Sequence, residues 1–207
     1  NDEGKKRDAV DKALAAYRSF SDRNPSDPRG YLERYMLLMR RKQFDRAAEE
    51  LLKVVSVYPK YPDVHYLKGV LYVAQGNDTA AVEEFNTELK NNPGSIKALI
   101  QLGNVYLNNN QVGMAAPVFA RAMQAAPQAA EPKHLAGYAN CLQKNYQAGV
   151  ALLRSAAQID SGNALIYKRL GSCALDMGDR AMASDAFRKY IQMEPDAPDR
   201  AAFERFL

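Results

Sequence analysis

The sequence predicts an all-α chain, a solenoid of antiparallel helix pairs. Three observations predict it. Pro25, Pro59, Pro93, Pro127 and Pro195 fall at steps of 34, 34, 34 and 68, with Ser161 at the missing step. Gly69, Gly103, Gly137 and Gly171 are each 34 apart. Ala13, Ala47, Ala81, Ala115, Gly149 and Ala183 keep the same spacing, and Tyr17, Leu51, Phe85, Phe119, Leu153 and Phe187 follow each of them by four. Independent series sharing one period mark structural repeats, each too small to bury its apolar face alone.

In chain order, residues 5–27 carry Val10, Ala13, Leu14, Tyr17 and Phe20 on one stripe before Pro25, as expected of the second helix of a partial repeat or cap. Five units follow at 28–61, 62–95, 96–129, 130–163 and 164–197. Unit 96–129 shows the pattern most fully. Leu99, Leu102, Gly103 and Tyr106 share one face of a first helix over about 96–109, and Ala115, Phe119 and Ala122 face it from a second helix over about 113–126. Small residues at 103 and 115 let the two helices approach. Pro127 ends the second helix. Gly76-Asn77-Asp78 and Asn108-Asn109-Asn110 suit the turn within a pair. Unit 28–61 departs from the pattern with Arg34 and Tyr35, and unit 130–163 with Asn140, Gly149 and Ser161. Residues 198–207 open on Pro198-Asp199, and Ala202, Phe203, Phe206 and Leu207 form the apolar face of a short capping helix.

The unit resembles the tetratricopeptide repeat, on Leu99, Leu102-Gly103, Tyr106, Ala115, Phe119, Ala122 and Pro127, again on Tyr167, Leu170-Gly171, Ala183, Phe187 and Pro195, and on Gly69, Tyr72, Ala81, Phe85 and Pro93. The resemblance implies a right-handed superhelix, a single solenoid domain over 1–207 whose first helices line a concave groove. Carried over by position, the groove is expected to present Leu32, Met36 and Met39, then Tyr66 and Val70, Ile100 and Asn104, Tyr138 and His134, and Lys168 and Ser172. It also implies a protein-interaction scaffold that binds a partner peptide or amphipathic helix there. Asn104 is the residue suited to clamp the backbone of an extended segment. Some relatives grip a terminal dicarboxylate with several cations. Here Lys168 and Arg169 supply charge in the last unit only, which argues against such a clamp.

Composition narrows the function further. Net charge is +4, with 47% apolar and 25% charged residues, the balance of a packed chain that neither demands nor excludes an anionic partner. No apolar run approaches a transmembrane span. Two His and two Cys leave little for metal or thiol chemistry. His65 and His134 stand two repeats apart, and no phosphate-binding glycine loop follows a strand. No enzyme activity and no cofactor are expected. Cys141 and Cys173, offset by 32, are expected to serve as packing or groove residues rather than as a disulfide. Lys5-Lys6-Arg7 and Arg40-Arg41-Lys42 read as solvated runs, so no nucleic-acid partner is expected. The chain begins at Asn1 with no Met and no apolar signal segment, as expected of a processed or trimmed chain, which leaves cytoplasm and bacterial periplasm or cell envelope both open. Two other functions fit the sequence. One is an assembly factor of the bacterial cell envelope, a helper for pili, secretins or polysaccharide export, with or without a lipid anchor. The other is a scaffold that self-associates through its repeat ends or groove.

Overall fold

A computed structural model describes the backbone of residues 2–207. Asn1 and the side chains of Lys5, Lys6 and Arg7, on which the trimmed start and the basic run rest, lie outside the described residues. Every regular element among the described residues is a helix. Contacts gather the chain into two compact units, one ending at Pro93 and the other beginning at Gly94.

The first unit holds α1 (Asp2–Arg23), α2 (Arg29–Arg40), α3 (Phe44–Val57), α4 (Val64–Ala74) and α5 (Asp78–Asn91). The second holds α6 (Ile96–Asn108), α7 (Val112–Ala125), α8 (Ala130–Leu142), α9 (Tyr146–Ile159), α10 (Ala164–Met177), α11 (Arg180–Met193) and α12 (Arg200–Glu204). From α2 on, even-numbered helices up to α10 are first helices and odd-numbered ones second helices, each pair packed side by side.

The turn inside each pair repeats as faithfully as the helices. Lys42, Gly76, Asn110, Lys144 and Gly178 all have positive φ, and they too are 34 apart. The next residue's N–H then reaches back five residues to a helix carbonyl, from Gln43 to Leu38, Asn77 to Tyr72, Gln111 to Tyr106, Asn145 to Asn140 and Asp179 to Ala174. This left-handed stop satisfies the end of the first helix and aims the chain into the second. Gly76 and Gly178 adopt it without a Cβ penalty, and Asn110 tolerates it. Two second helices, α5 and α11, are capped by side chains: Asn77 accepts from Ala80 N–H at 3.1 Å and Asp179 from Met182 N–H at 2.9 Å.

The core contact of a pair is a phenyl ring laid on a glycine. A Cβ built on Gly103 would meet Phe119 Cζ at 2.6 Å, and Gly69 and Gly171 stand in the same relation to Phe85 and Phe187. All three rings are fully buried. The departing units solve the same problem differently. In the first, bulk moves across the seam: Tyr35 replaces the glycine and Leu51 the phenylalanine, and both are 2% exposed. Tyr35 Oη donates to the Leu67 carbonyl at 2.8 Å, which ties α2 to α4. Arg34 reaches the buried Glu50 at 2.6 Å, so its cation is neutralised at the position where the third and fifth units carry Leu102 and Leu170. In the fourth repeat Gly137 and Gly149 bring α8 and α9 into backbone contact, a Cβ on Gly137 falling 3.0 Å from the Gly149 carbonyl oxygen.

Both end helices pack on the helix next to them, α1 on α2 and α12 on α11. Val10, Ala13, Leu14, Tyr17 and Phe20 on α1 are half-buried, and Gly30 lets α2 approach Phe20. At the other end Phe203 stacks on Phe187 at 4.5 Å and Phe206 lies 5.8 Å from it. Ala202 and Leu207, expected on the same face, are exposed instead, because α12 is only five residues long.

Candidate functional site

In the first unit, the expected groove residues lie on α2 and α4. Met36 is 43% exposed, while Leu32 and Met39 are half-buried and pack on the core around Leu38 and Leu51. Tyr66 and Val70 are half-buried, and the Tyr66 ring tilts against Phe85 at 6.2 Å.

In the second unit, Ile100 is 7% exposed and belongs to the core, so it offers a partner little surface. Asn104 on the same helix is half-buried. The remaining four expected residues sit on α8 and α10, and three of them, Tyr138, Lys168 and Ser172, line one cavity of about 520 Å³. Leu142 and Leu165 stand on its two sides, each 44% exposed. Lys144, Tyr146, Arg169 and Asp176 complete its polar lining, with Cys141 and Cys173 between the helices.

The cysteines correct the sequence expectation. They form a disulfide across the two repeats, with Cα atoms 5.6 Å apart. They occupy non-equivalent positions of their repeats, two residues apart in phase. Adjacent first helices in this unit are offset so that those two positions face each other.

The electrostatics of the cavity centre on Arg169. Its guanidinium lies 3.9 Å from the centroid of the Tyr138 ring. One N–H donates to His134 Nε2 at 3.0 Å. Among the described residues no carboxylate pairs with it. His134 is 5% exposed, and burial, then the Arg169 charge, push its pKa down to about 4. It is therefore neutral at physiological pH, with Nε2 the acceptor and the proton on Nδ1. Burial also lowers the Arg169 pKa, yet guanidinium stays charged. His134 thus supports Arg169 from beneath, and is not itself a surface contact. Lys168 behaves differently. It pairs with Asp199, and that carboxylate also accepts from Tyr190 Oη at 2.7 Å. These two hydrogen bonds hold the Asp199 pKa below its usual value. The bond to Asp199, then burial, raise the Tyr190 pKa to about 12. Ser172 Oγ donates to the Lys168 carbonyl at 3.1 Å. The expected groove cation is thus committed to the C-terminal cap, whereas Arg169, which sequence position did not select, has no carboxylate partner among the described residues.

The His134 shift has a measurable consequence. The unfolded chain takes up this proton near pH 6.5, the folded chain only near pH 4. Unfolding therefore binds a proton in that window. This contribution is fully present above pH 6.5 and is lost as pH falls towards 4, by on the order of 3 kcal/mol. Urea unfolding of the wild type should show this decline, and His134→Gln should flatten it. Parallel curves would contradict a buried neutral imidazole.

No helix among the described residues is long and apolar enough to cross a membrane, and no cluster of three or more His, Cys, Asp or Glu is placed to hold a metal ion.

Comparisons with known proteins agree with this architecture. Family models described as tetratricopeptide repeat match residues 32–96, 100–164 and 164–197. No curated protein matches the sequence. Among solved structures, the fold is similar to YrrB, described as a tetratricopeptide-repeat protein with an unusual peptide-binding site, at 19% identity and TM-score 0.70, covering 92% of this chain and 98% of that one. It is similar to Pseudomonas aeruginosa PilF at 15% identity and TM-score 0.79, covering 97% and 91%. It is also similar to MamA of Desulfovibrio magneticus RS-1 at 23% identity and TM-score 0.69, covering 90% and 97%. At these identities the likeness is one of fold. With the period, the glycine-on-ring pairs and the left-handed turns, the matched models lead to one conclusion: the chain belongs to the tetratricopeptide repeat family, whose stacked helices serve as protein-interaction scaffolds.

Proposed function

We propose that this protein is a binding scaffold and that the α8–α10 face of its second unit captures a segment of a partner protein. The segment carries a carboxylate beside an apolar side chain, on an extended peptide or one face of a helix. The observation that carries this reading is Arg169. A half-buried guanidinium without a counter-ion is an unfavourable arrangement that an incoming carboxylate relieves, since it can accept two parallel N–H bonds. Leu142 and Leu165 flank it and offer apolar surface to a neighbouring side chain. Asn104, Met36, Tyr66 and Val70 remain candidate contacts on other first helices. No chemistry is proposed for the face, which would hold a partner without transforming it.

The test is a matched pair of acetylated, amidated peptides, one with glutamate between two leucines and one with glutamine. The glutamate peptide should bind more tightly, by about tenfold, and Arg169→Gln should abolish the difference. Equal affinity for both peptides in the wild type would sink the carboxylate reading. Failure to bind either would sink the site.

A second reading places the scaffold among assembly helpers of the bacterial cell envelope. The Cys141–Cys173 disulfide favours it, because disulfides persist in the periplasm and are rare in the cytosol. The fold likeness to PilF is compatible with it. Thiol blocking of the protein in its source cells, before lysis, decides. Protected cysteines support an oxidising compartment, and two free thiols contradict it.

A further inference from the structure

The disulfide joins two first helices, α8 and α10, that touch each other far less than each touches the second helix α9. The pairs on either side of α8–α9 are wedged by a ring on a glycine, Phe119 on Gly103 and Phe187 on Gly171. In α8–α9 the equivalent of the ring is Leu153, and the closest approach is Gly137 to the Gly149 backbone. Two glycines in contact let α8 lie close on α9, where Leu152 and Leu153 also crowd Gly137, so α8 is held by α9 while little besides the disulfide and the Arg169–Tyr138 stack ties it directly to α10. A Cβ on Gly149 would meet the Cys141 backbone N at 3.0 Å, and its nearest neighbour would be Cys141 Sγ, so that sulfur fills the gap a side chain would otherwise occupy.

The bond runs from α8 to α10. Both cysteines line the cavity, and the two helices they join carry its opposite sides, Leu142 on α8 and Leu165 with Arg169 on α10. The stack of Arg169 on Tyr138 bridges the same two helices. A turn of α8 would therefore part the ring from the guanidinium and the two leucines from each other.

We propose that the Cys141–Cys173 disulfide is the positioning element of this site: the oxidised chain holds the carboxylate-bearing segment, and two-electron reduction by a dithiol releases it. The proposal rests on the binding reading above. In the step, a thiolate of the dithiol attacks one cysteine sulfur, the S–S bond breaks, and the displaced cysteine leaves as thiolate and takes up a proton. The second thiol of the reagent closes a cyclic disulfide and frees the other cysteine. The protein gains two electrons and two protons, and the dithiol is oxidised. The freed Cys173 thiol has an acceptor in place, the Tyr146 carbonyl oxygen 3.8 Å from its sulfur.

The experiment uses the full chain and the glutamate peptide. Affinity is measured on the oxidised chain, after dithiothreitol, after reoxidation, and on Cys141→Ser with Cys173→Ser. Circular dichroism follows helix content, and hydrogen exchange follows each helix. Reduction should weaken binding by about tenfold, reoxidation should restore it, and the double serine chain should match the reduced one. Helix content should hold, with faster exchange confined to α8 and α10. Equal affinity in both redox states overturns the proposal and leaves the binding reading standing. Loss of helix throughout the unit on reduction also overturns it, because the bond would then serve folding alone. If the oxidised chain binds neither the glutamate nor the glutamine peptide, both readings fail.

Discussion

Phe119→Ala should lower the stability of the second unit by about 3–5 kcal/mol, the usual cost of emptying a fully buried phenylalanine site. The ring is 0% exposed and lies on Gly103, so neither helix can settle into the void without moving the other. Gly103→Leu should also destabilise, by about 1–3 kcal/mol, because the new side chain enters the space the ring fills. The informative quantity is the pair. With the ring gone, a leucine at 103 has room, so the double variant should be more stable than the sum of the single losses predicts, by about 1–2 kcal/mol. The chain itself contains this exchange. At Tyr35 and Leu51 the large residue stands on the first helix and the smaller one on the second, and both are buried. Denaturant unfolding of the four chains checks it, and strict additivity would mean that residues 103 and 119 do not share a site.

The second large effect is on the disulfide. Closing a loop over a sequence separation of 32 restricts the unfolded chain enough to stabilise the fold by about 3–4 kcal/mol. Reduction should lower Tm on the order of 10 °C, and Cys141→Ser with Cys173→Ser should melt with the reduced protein. Calorimetry with and without dithiothreitol reads this directly. One melting temperature under both conditions would mean that the bond does not form in solution.

The repeating frame was legible because it is written in residues with few alternatives. A glycine under a ring, a proline after a helix and a small residue at a turn each state one geometric requirement, and their spacing states the rest. Lys42 and Lys144 show the limit of that reading. They hold the left-handed position of the turn that Gly76, Asn110 and Gly178 hold elsewhere, and no side-chain rule marks them. The site was less legible for a similar reason. Its decisive contacts run between repeats and fall off the period. Cys141 meets Cys173 at 32 residues and Arg169 meets His134 at 35. Position within a repeat picks out the first-helix face, and so found Tyr138, Lys168 and Ser172. It could not show that Lys168 is tied to Asp199 in the cap while Arg169, set between Tyr138 and His134, has no carboxylate partner among the described residues.

The central claim is that the α8–α10 face of the second unit holds an acidic partner segment. Amide chemical-shift mapping of the oxidised chain, titrated with the glutamate peptide, tests it most directly. The account predicts that the largest shifts cluster at Tyr138, Leu142, Leu165, Arg169 and Ser172 and disappear in Arg169→Gln. Shifts centred on the second helices α9 and α11, or unchanged by that substitution, would contradict it.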